Sequence, residues 1–330
     1  MMNTFIFSVR QLKALALAAV SLVLTANADA QPAAYPAKPI KIVIAFAPGG
    51  IADSVGRLIS QKLSDRLGQP VVVENHSGAA GNIGTRLVAK AEPDGHTLLV
   101  NTTSMAINVS LYKEAGYKIS DFVPVAIAAS TPNLFATTPS VKAANLRELA
   151  QLYKGKQLTY STAGIGSSSH LTAHYVFNNL LGIDSLHVPF KGGAPAITAA
   201  VAAQVDLVSV SMPPAVPFIN AGRLKGLALA SVTRVAALPN VPTFAESGIP
   251  DLEDLSWVGV FAPMKTSSDI VERLNSEINA ILRLNDVREK LQASGFEPVG
   301  GSTRDVTDYV GKEVAKWTRI VKATGVTVGD

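Results

Sequence analysis

The sequence has no cysteine among its 330 residues, which excludes disulfide bonds, thiol chemistry and a lipid anchor attached through cysteine. Charge is also scarce: Asp, Glu, Lys and Arg make up 16% of the chain, and the net charge is +4. No cluster of lysine and arginine has the form that binds nucleic acid. Hydrophobic residues make up 48% of the chain, so a large core is available and intrinsic disorder is not expected.

Residues 1–30 have the pattern of a secretory signal peptide. Arg10 and Lys13 precede an apolar run over residues 14–25, and the small residues of a cleavage site follow at Ala28-Asp29-Ala30. The run is about 12 residues long, which suits a signal peptide and is short of the ~20 residues that span a bilayer. We expect cleavage after Ala30, or after Ala28, and release into the periplasm. No later segment is long and apolar enough to span a membrane.

Nucleotide-binding motifs are missing as well, although two glycine-rich turns follow predicted strands. Pro48-Gly49-Gly50 follows the strand at 40–46, and the turn at 77–84 follows the strand at 71–75. Neither turn has the lysine of GxxxxGK[ST] or the spacing of GxGxxG, so no nucleotide cofactor is expected. Each turn precedes a predicted helix and would present backbone N–H groups to a small anion. The alternative interpretation is that these glycines only form tight turns.

Strands and helices alternate along the chain, which predicts an α/β fold. The third strand ends at Thr102-Thr103-Ser104, and the alternation begins again at residue 158 with small-residue loops at 162–169 and at Lys191-Gly192-Gly193. Right-handed crossovers place such loops at the carboxyl edge of a parallel sheet. We therefore predict two doubly wound α/β domains whose loop edges face each other across a central cleft.

The predicted domains are joined by two strand crossings. We place these crossings near residues 125–137 and 256–262, with the first domain at 31–130 plus 257–330 and the second domain at 131–256. Two crossings restrict the motion to opening and closing, which is the hinge arrangement of periplasmic binding proteins of the Venus-flytrap type.

An ordered set of motifs gives the chain a family resemblance. These motifs include Ala47-Pro48-Gly49-Gly50-x-x-Asp53-x-x-x-Arg57, Val72-Val73-Glu74-Asn75, Gly78-x-x-Gly81-Asn82-Ile83-Gly84, Ala91-x-Pro93-Asp94-Gly95, Gly166-Ser167-x-x-His170-Leu171, Val188-Pro189-Phe190-Lys191-Gly192 and Pro239-Asn240-Val241-Pro242-Thr243-Phe244. They resemble the Bug-type solute receptors, the extracytoplasmic binding subunits of tripartite tricarboxylate transporters. The resemblance covers essentially the whole chain after the leader. One departure is Ala80, which stands where many relatives have glycine.

The resemblance implies a receptor that binds a small carboxylate between two domains and delivers it to membrane permease subunits. A sensor that presents its closed form to a signalling partner remains an alternative, because the sequence does not distinguish the two. An exported hydrolase is the other alternative, suggested by Ser167–Ser169 beside His170. No GxSxG motif occurs, and no SxxK motif accompanies these serines, so we expect no enzymatic activity. We also expect a monomer without a cofactor.

The candidate ligand-binding residues come from the cleft loops. Backbone N–H groups at helix starts and side-chain hydroxyls are the donors that a carboxylate needs, and water can bridge the remainder. The candidates are Pro48, Gly49, Gly50, Asp53, Ser77, Gly78, Ala79, Ala80, Asn82, Thr102, Thr103, Ser104, Ser161, Gly164, Ser167, Ser168, Ser169, His170, Lys191, Gly192 and Asp206.

Several of these candidates could have a structural role instead of binding the ligand. Asp53 lies in the first turn of a predicted helix, where a carboxylate can cap N–H groups. Lys191 is the one cation in a predicted cleft loop and is equally consistent with a solvated lysine. Asp206 is placed in the middle of a strand, where it would more often fix a loop than contact a ligand.

His170 and His174 are four residues apart on a predicted helix and so share a face. Two histidines without a further ligand make a weak metal site, and no metal is expected. We expect His170 to contact the solute and His174 to be packed or exposed.

Overall fold

The computed structural model describes residues 35–249, 252–326 and 328. The predicted signal peptide and both candidate cleavage positions lie outside the described residues. From Lys38 onward the chain forms one compact unit. Within the described residues, no helix has both the length and the apolar character needed to cross a membrane.

Strands and helices alternate in the first part of the chain, which ends with a long strand. Its elements are β1 (Ile40–Ile44), α1 (Ile51–Leu67), β2 (Val71–Asn75), α2 (Asn82–Ala89), β3 (Thr97–Thr102), α3 (Ser104–Leu111) and β4 (Phe122–Thr137). Helix α1 buries Val55, Ile59 and Leu63 at helical spacing and ends at Gly68, whose φ of 66° is left-handed.

The second part repeats the alternation of strand and helix, and its strand β9 (Leu255–Pro263) then pairs with β3 and β4. Its elements are α4 (Leu146–Leu152), β5 (Leu158–Thr162), α5 (Ser168–His174), a π-helical stretch (Tyr175–Leu180), β6 (Ser185–Pro189), α6 (Gly193–Val201), β7 (Leu207–Ser211), α7 (Val216–Asn220), β8 (Lys225–Leu229), β9 (Leu255–Pro263), α8 (Ser268–Leu282), α9 (Asn285–Ala293), β10 (Glu297–Pro298) and α10 (Thr303–Thr324).

Strand β4 belongs to both halves of the sheet. The strand order is β2-β1-β3-β9-β4-β7-β5-β6, with β8 and β10 also paired to β4. Residues 122–132 of β4 pair antiparallel with β9, whereas residues 133–137 pair with β7. We call the half that contains β1, β2, β3 and β9 the first lobe and the half that contains β5, β6, β7 and β8 the second lobe.

Parallel pairing places the cleft loops at one edge of each lobe. Strand β1 pairs parallel with β2 and β3, and β5 pairs parallel with β6 and β7. The loops that follow these strands therefore lie at carboxyl edges, as predicted. The predicted two-lobed α/β fold class is confirmed. The residue boundaries of the domains and the hinge stay predictions.

The core of the second lobe lies on both faces of its sheet. Phe135 packs with Phe177 and Phe244 on one face, whereas the neighbouring Leu134 packs with Ile197 and Val210 on the other. This separation follows from the two-residue period of a strand, which points successive side chains to opposite faces. Each buried side chain of this size contributes about 1.5–3 kcal/mol to stability.

Two expected elements differ in the structure. The sequence pattern predicts a single helix over 170–181, whereas the structure has α5 followed by the π-helical stretch. The pattern also predicts a strand over 205–210, but β7 begins at Leu207, so the expected position of Asp206 inside a strand is wrong. Instead, Asp206 precedes β7, where its Oδ2 accepts hydrogen bonds from the backbone N–H (2.9 Å) and hydroxyl (2.7 Å) of Thr159.

Candidate functional site

A cavity of about 40 Å³ lies between the two lobes at the carboxyl edges of their strands. It has room for about three water molecules. The first lobe contributes Phe46, Gly50, Ile51, Ala52, Thr102 and Ser104, the second contributes Ala163, Ser167, Ser168, Ser169, Gly193, Ser211 and Pro214, and Ser256 comes from β9. None of these described lining residues has a charged side chain.

The lobes contact each other around this cavity. The Ala47 N–H donates to the Lys191 carbonyl at 3.2 Å, and the Tyr112 hydroxyl donates to the Ile165 carbonyl at 2.8 Å. A methyl group at Gly192 would lie 3.4 Å from the Ala47 nitrogen. The structure therefore has its cleft closed.

Two helices begin at the cavity from opposite lobes. Helix α1 starts after Gly50 and α6 starts after Gly192, and neither start has a hydrogen bond from a capping side chain. A methyl group at Gly50 would lie 3.9 Å from the Gly193 nitrogen. The positive ends of both helix dipoles thus meet at one place.

Asp53 lies in the first turn of α1, but its carboxylate holds the preceding loop. Its oxygens accept hydrogen bonds from the Gly49 N–H at 3.0 Å, Arg57 Nε at 2.9 Å and Asn75 Nδ2 at 2.9 Å. Burial by itself would raise the pKa of Asp53, but these hydrogen bonds hold the pKa below its ordinary value. The ionised carboxylate thus fixes the loop that leads to Gly50.

Asn133 on β4 connects the hydroxyl groups of the cavity wall. Its Nδ2 donates to Ser168 Oγ at 2.8 Å and to Asp254 Oδ2, while its Oδ1 accepts from Ser211 Oγ and Ser256 Oγ, each at 3.1 Å. Asn133 is fully buried, and these four bonds satisfy its amide.

Asp254 is a further hydrogen-bond acceptor in this network. Its Oδ2 also accepts from Thr172 Oγ1 at 2.6 Å, and the residue is 1% exposed. Burial raises the pKa of the Asp254 carboxyl, although hydrogen bonds from Thr172 and Asn133 oppose that rise.

Three histidines lie next to the serine loop, and of these His170 is buried, whereas His174 and His187 are half-buried. The rings of His170 and His187 stack with their centroids 4.0 Å apart, and His174 follows at 6.4 Å from His170. Burial lowers the pKa of His170 to about 3 and that of His187 to about 4, so both are neutral at neutral pH. No group of three or more side chains suited to metal binding occurs in the described part of the chain.

Six predicted candidates line the cavity: Gly50, Thr102, Ser104, Ser167, Ser168 and Ser169. Pro48, Gly49 and Lys191 are exposed beside it, and Gly192 is buried against Ala47. Lys191 takes part through its backbone carbonyl, whereas the prediction considered its ammonium group. Asp53 and His170 lie behind the lining residues.

Other candidates have internal partners instead. Thr103 Oγ1 accepts from the Trp257 N–H at 3.0 Å, and Ser161 Oγ donates to the Ala196 carbonyl at 3.0 Å. Asp206 does not line the cavity, because it precedes β7 and so lies at the amino edge of that strand, opposite the cleft loops.

The second glycine-rich turn packs at the lobe interface rather than lining the cavity. A methyl group at Gly164 would lie 3.6 Å from Ala80, whose carbonyl accepts from Asn108 Nδ2 at 3.0 Å. Asn82 Oδ1 accepts from the same nitrogen at 2.8 Å, and Ser77, Gly78 and Ala79 precede this contact. Ala80 has a φ of 49°, which explains why glycine suits its position.

Eight lining residues are not among the predicted candidates: Phe46, Ile51, Ala52, Ala163, Gly193, Ser211, Pro214 and Ser256. Ala163 and Gly193 lie within predicted loops, and Phe46, Ile51 and Ala52 adjoin the predicted turn at 48–50. Ser211 directly follows the strand predicted over 205–210. Ser256 had no such signal, because it lies within a crossing strand.

Known proteins that are similar to this chain identify its family. A family model described as "Tripartite tricarboxylate transporter family receptor" matches residues 55–326. The chain therefore belongs to this family of solute-binding receptors, which is not a family of enzymes. A curated relative, the "UPF0065 protein in tcbD-tcbE intergenic region" of a Pseudomonas species, is 38% identical over 295 residues, covering 87% of each chain.

Solved structures of periplasmic binding proteins have the same fold. The periplasmic binding protein BugD is 33% identical with a TM-score of 0.85, covering 89% of this chain and 99% of its own. An R. palustris protein determined with adipate is 34% identical, with the same TM-score and coverage. MatC from Rhodopseudomonas palustris, determined with malate, is 33% identical with a TM-score of 0.81, covering 87% of this chain and all of its own. The resemblance inferred from sequence is thus confirmed.

Proposed function

We propose that this protein captures a small carboxylate between its lobes in the periplasm and delivers it to the membrane subunits of a tripartite tricarboxylate transporter. The observation that carries this proposal is the meeting of the α1 and α6 helix starts, both without a side-chain cap, at one cavity. The adipate and malate held by two structural neighbours support a carboxylate as the ligand class.

Helix starts can hold an anion without a cationic side chain. Each start contributes about 0.3–1 kcal/mol when exposed to solvent, and more in a partly buried geometry. Since the two starts belong to different lobes, a carboxylate placed between them would stabilise the closed form. The same contacts would thus provide both affinity and closure.

The motion itself would occur in β4 and β9, the strands that continue between the lobes. Opening would break the Ala47 to Lys191 and Tyr112 to Ile165 hydrogen bonds while keeping the strand pairings within each lobe. We further propose that the receptor acts as a monomer after cleavage behind Ala30 or Ala28, and that the permease recognises its closed form.

A charge at the start of α6 tests the anion site. Gly193→Asp places a carboxylate in the first turn of α6, where it favours the helix but repels an anion. Gly193→Asn has nearly the same shape without the charge. A methyl group at this position would have no neighbour nearer than 3.9 Å, so both variants should fold.

The measurement is isothermal titration calorimetry of the exported chain, from Gln31, with a panel of small carboxylates and with neutral sugars as controls. We expect binding of at least one carboxylate, a loss of at least tenfold in Gly193→Asp and a much smaller loss in Gly193→Asn. Equal losses in the two variants would contradict an anion between the helix starts. Binding of a sugar and of no carboxylate would overturn the proposed ligand class.

A further inference from the structure

The hydroxyl groups of the cavity wall differ in what they can offer to a ligand. A serine hydroxyl has one proton to donate and two lone pairs that accept. Where the proton already goes to a protein atom, the hydroxyl can only accept from the ligand. The hydrogen-bond partners of each lining serine therefore show which ligand groups it can bind.

Asp254 fixes the orientation of the Asn133 amide. Asp254 Oδ2 accepts from Asn133 Nδ2 and from Thr172 Oγ1, so the NH₂ group of Asn133 must face it. The Oδ1 of Asn133 consequently faces the cavity wall, where it accepts the protons of Ser211 and Ser256. Neither hydroxyl has a second proton for a ligand.

The hydroxyl proton of Ser168 is also used within the protein. Ser168 Oγ accepts from Asn133 Nδ2 and lies 3.0 Å from Ser256 Oγ. The proton of Ser168 can go to Ser256 Oγ or to the Asp254 carboxyl group, and in either case it stays within the protein. Ser168 and Ser256 each keep at least one lone pair, and Ser211 keeps two.

Ser167 and Ser169 repeat the pattern. Ser167 Oγ donates to the Gly164 carbonyl at 2.8 Å and lies 3.1 Å from Ser169 Oγ. The proton of Ser169 therefore goes to Ser167. Five lining serines thus direct their protons into the protein, although the sequence analysis considered hydroxyls from this loop as donors to a carboxylate.

The cavity wall is therefore divided between donors and acceptors. Backbone N–H groups at the starts of α1 and α6 suit a carboxylate, and the lone pairs of Ser168, Ser211 and Ser256 suit an N–H or O–H group. We infer that the ligand is a carboxylate that also carries a hydroxyl or amino group as a hydrogen-bond donor. This inference rests on the proposed function and specifies its substrate class.

Matched ligands test the inference on the unmodified protein. Succinate, malate and aspartate share a carbon skeleton and differ in one hydrogen, hydroxyl or amino group, as do glutarate, 2-hydroxyglutarate and glutamate, and propionate, lactate and alanine. We expect calorimetry to give a substituted acid at least tenfold tighter binding than its unsubstituted partner in one series. Equal or tighter binding of the unsubstituted acid throughout would overturn the inference.

Variants of Ser211 test whether the serine wall is responsible. Ser211→Ala removes a hydroxyl that faces the cavity, and Ser211→Thr restores one. We expect Ser211→Ala to reduce the ratio of affinities between the substituted and the unsubstituted acid at least threefold, and Ser211→Thr to keep this ratio. Ser110→Ala, whose hydroxyl pairs with Thr318 outside the cavity, is the matched control.

The outcomes separate this inference from the proposed function. If no carboxylate binds, the proposed function fails. If carboxylates bind without a preference for a donor group, the proposed function stands and this inference fails. A preference that Ser211→Ala leaves unchanged would overturn the assignment to the serine wall.

Discussion

The hydroxyl of Tyr112 in the first lobe donates to the carbonyl of Ile165 in the second lobe at 2.8 Å. Tyr112 directly follows α3, and Ile165 lies in the loop between β5 and α5. The bond therefore joins two cleft loops and exists only while the lobes are closed. Such contacts determine how much of the ligand's binding energy is needed for closure.

Tyr112→Phe removes this bond and should weaken ligand binding. A neutral hydrogen bond contributes about 0.5–1.5 kcal/mol, which corresponds to a loss of about two- to tenfold in affinity. Tyr117→Phe is the control, because its hydroxyl donates to the Met105 carbonyl within the first lobe at 3.2 Å. Calorimetry should show weaker binding for Tyr112→Phe alone. A similar loss in both variants would contradict a role in closure.

Gly192→Ala should impair both folding and closure. Gly192 has a φ of 148°, a region occupied almost entirely by glycine, and an added methyl would lie 3.4 Å from Ala47. We expect a loss of about 1–3 kcal/mol in the free energy of unfolding, with weaker ligand binding.

Gly222→Ala is the matched control for this strain. Gly222 has a φ of 69°, and an added methyl would meet nothing within 4 Å. Denaturant titration should show a loss of about 1–2 kcal/mol, whereas ligand binding should stay unchanged. Wild-type affinity in Gly192→Ala would contradict the predicted contact with Ala47.

Glu313→Ala should strongly destabilise the first lobe. Glu313 Oε2 accepts from the indole N–H groups of Trp257 (3.0 Å) and Trp317 (3.1 Å), and all three residues are buried. Removing the carboxylate leaves two buried donors without this partner, at a cost of about 1–3 kcal/mol each. Thermal and denaturant unfolding should show the loss, whereas Glu289→Ala on the exposed face of α9 should change stability by less than about 0.5 kcal/mol.

The stacked histidines should make the fold sensitive to acid. The pKa values of His170 and His187 are about 3 and 4 in the folded protein, below the ordinary value of 6.5. At pH values between the folded and the ordinary pKa, the unfolded chain binds more protons than the folded chain. Stability should therefore fall as the pH drops from about 6.5 to 4, on the order of 1 kcal/mol per pH unit for each histidine.

His187→Gln tests the contribution of one histidine to this dependence. The variant removes one group that titrates only after unfolding, so the slope of the free energy of unfolding against pH should decrease. Burial raises the pKa of Asp254 and gives a dependence of opposite sign above pH 4, but this term is common to both proteins and cancels in the comparison. An unchanged slope would show that His187 is protonated in the folded state.

The order of strands and helices was predictable because it depends on local patterns. The apolar spacing of Val55, Ile59 and Leu63 predicts α1, and the turns at Gly50 and Gly192 mark helix starts. Parallel strands then require that these turns share an edge. The sequence alone therefore predicted Gly50 and Ser168, which line the cavity between the lobes.

Tertiary structure decided which groups each serine can bind. Asn133, Ser211 and Ser256 lie far apart in sequence and meet because β4 pairs with β7 on one side and with β9 on the other. A serine is a possible donor or acceptor in any sequence. Its proton is assigned only when Asp254 orients Asn133, and that contact depends on strand pairing across 121 residues of the chain.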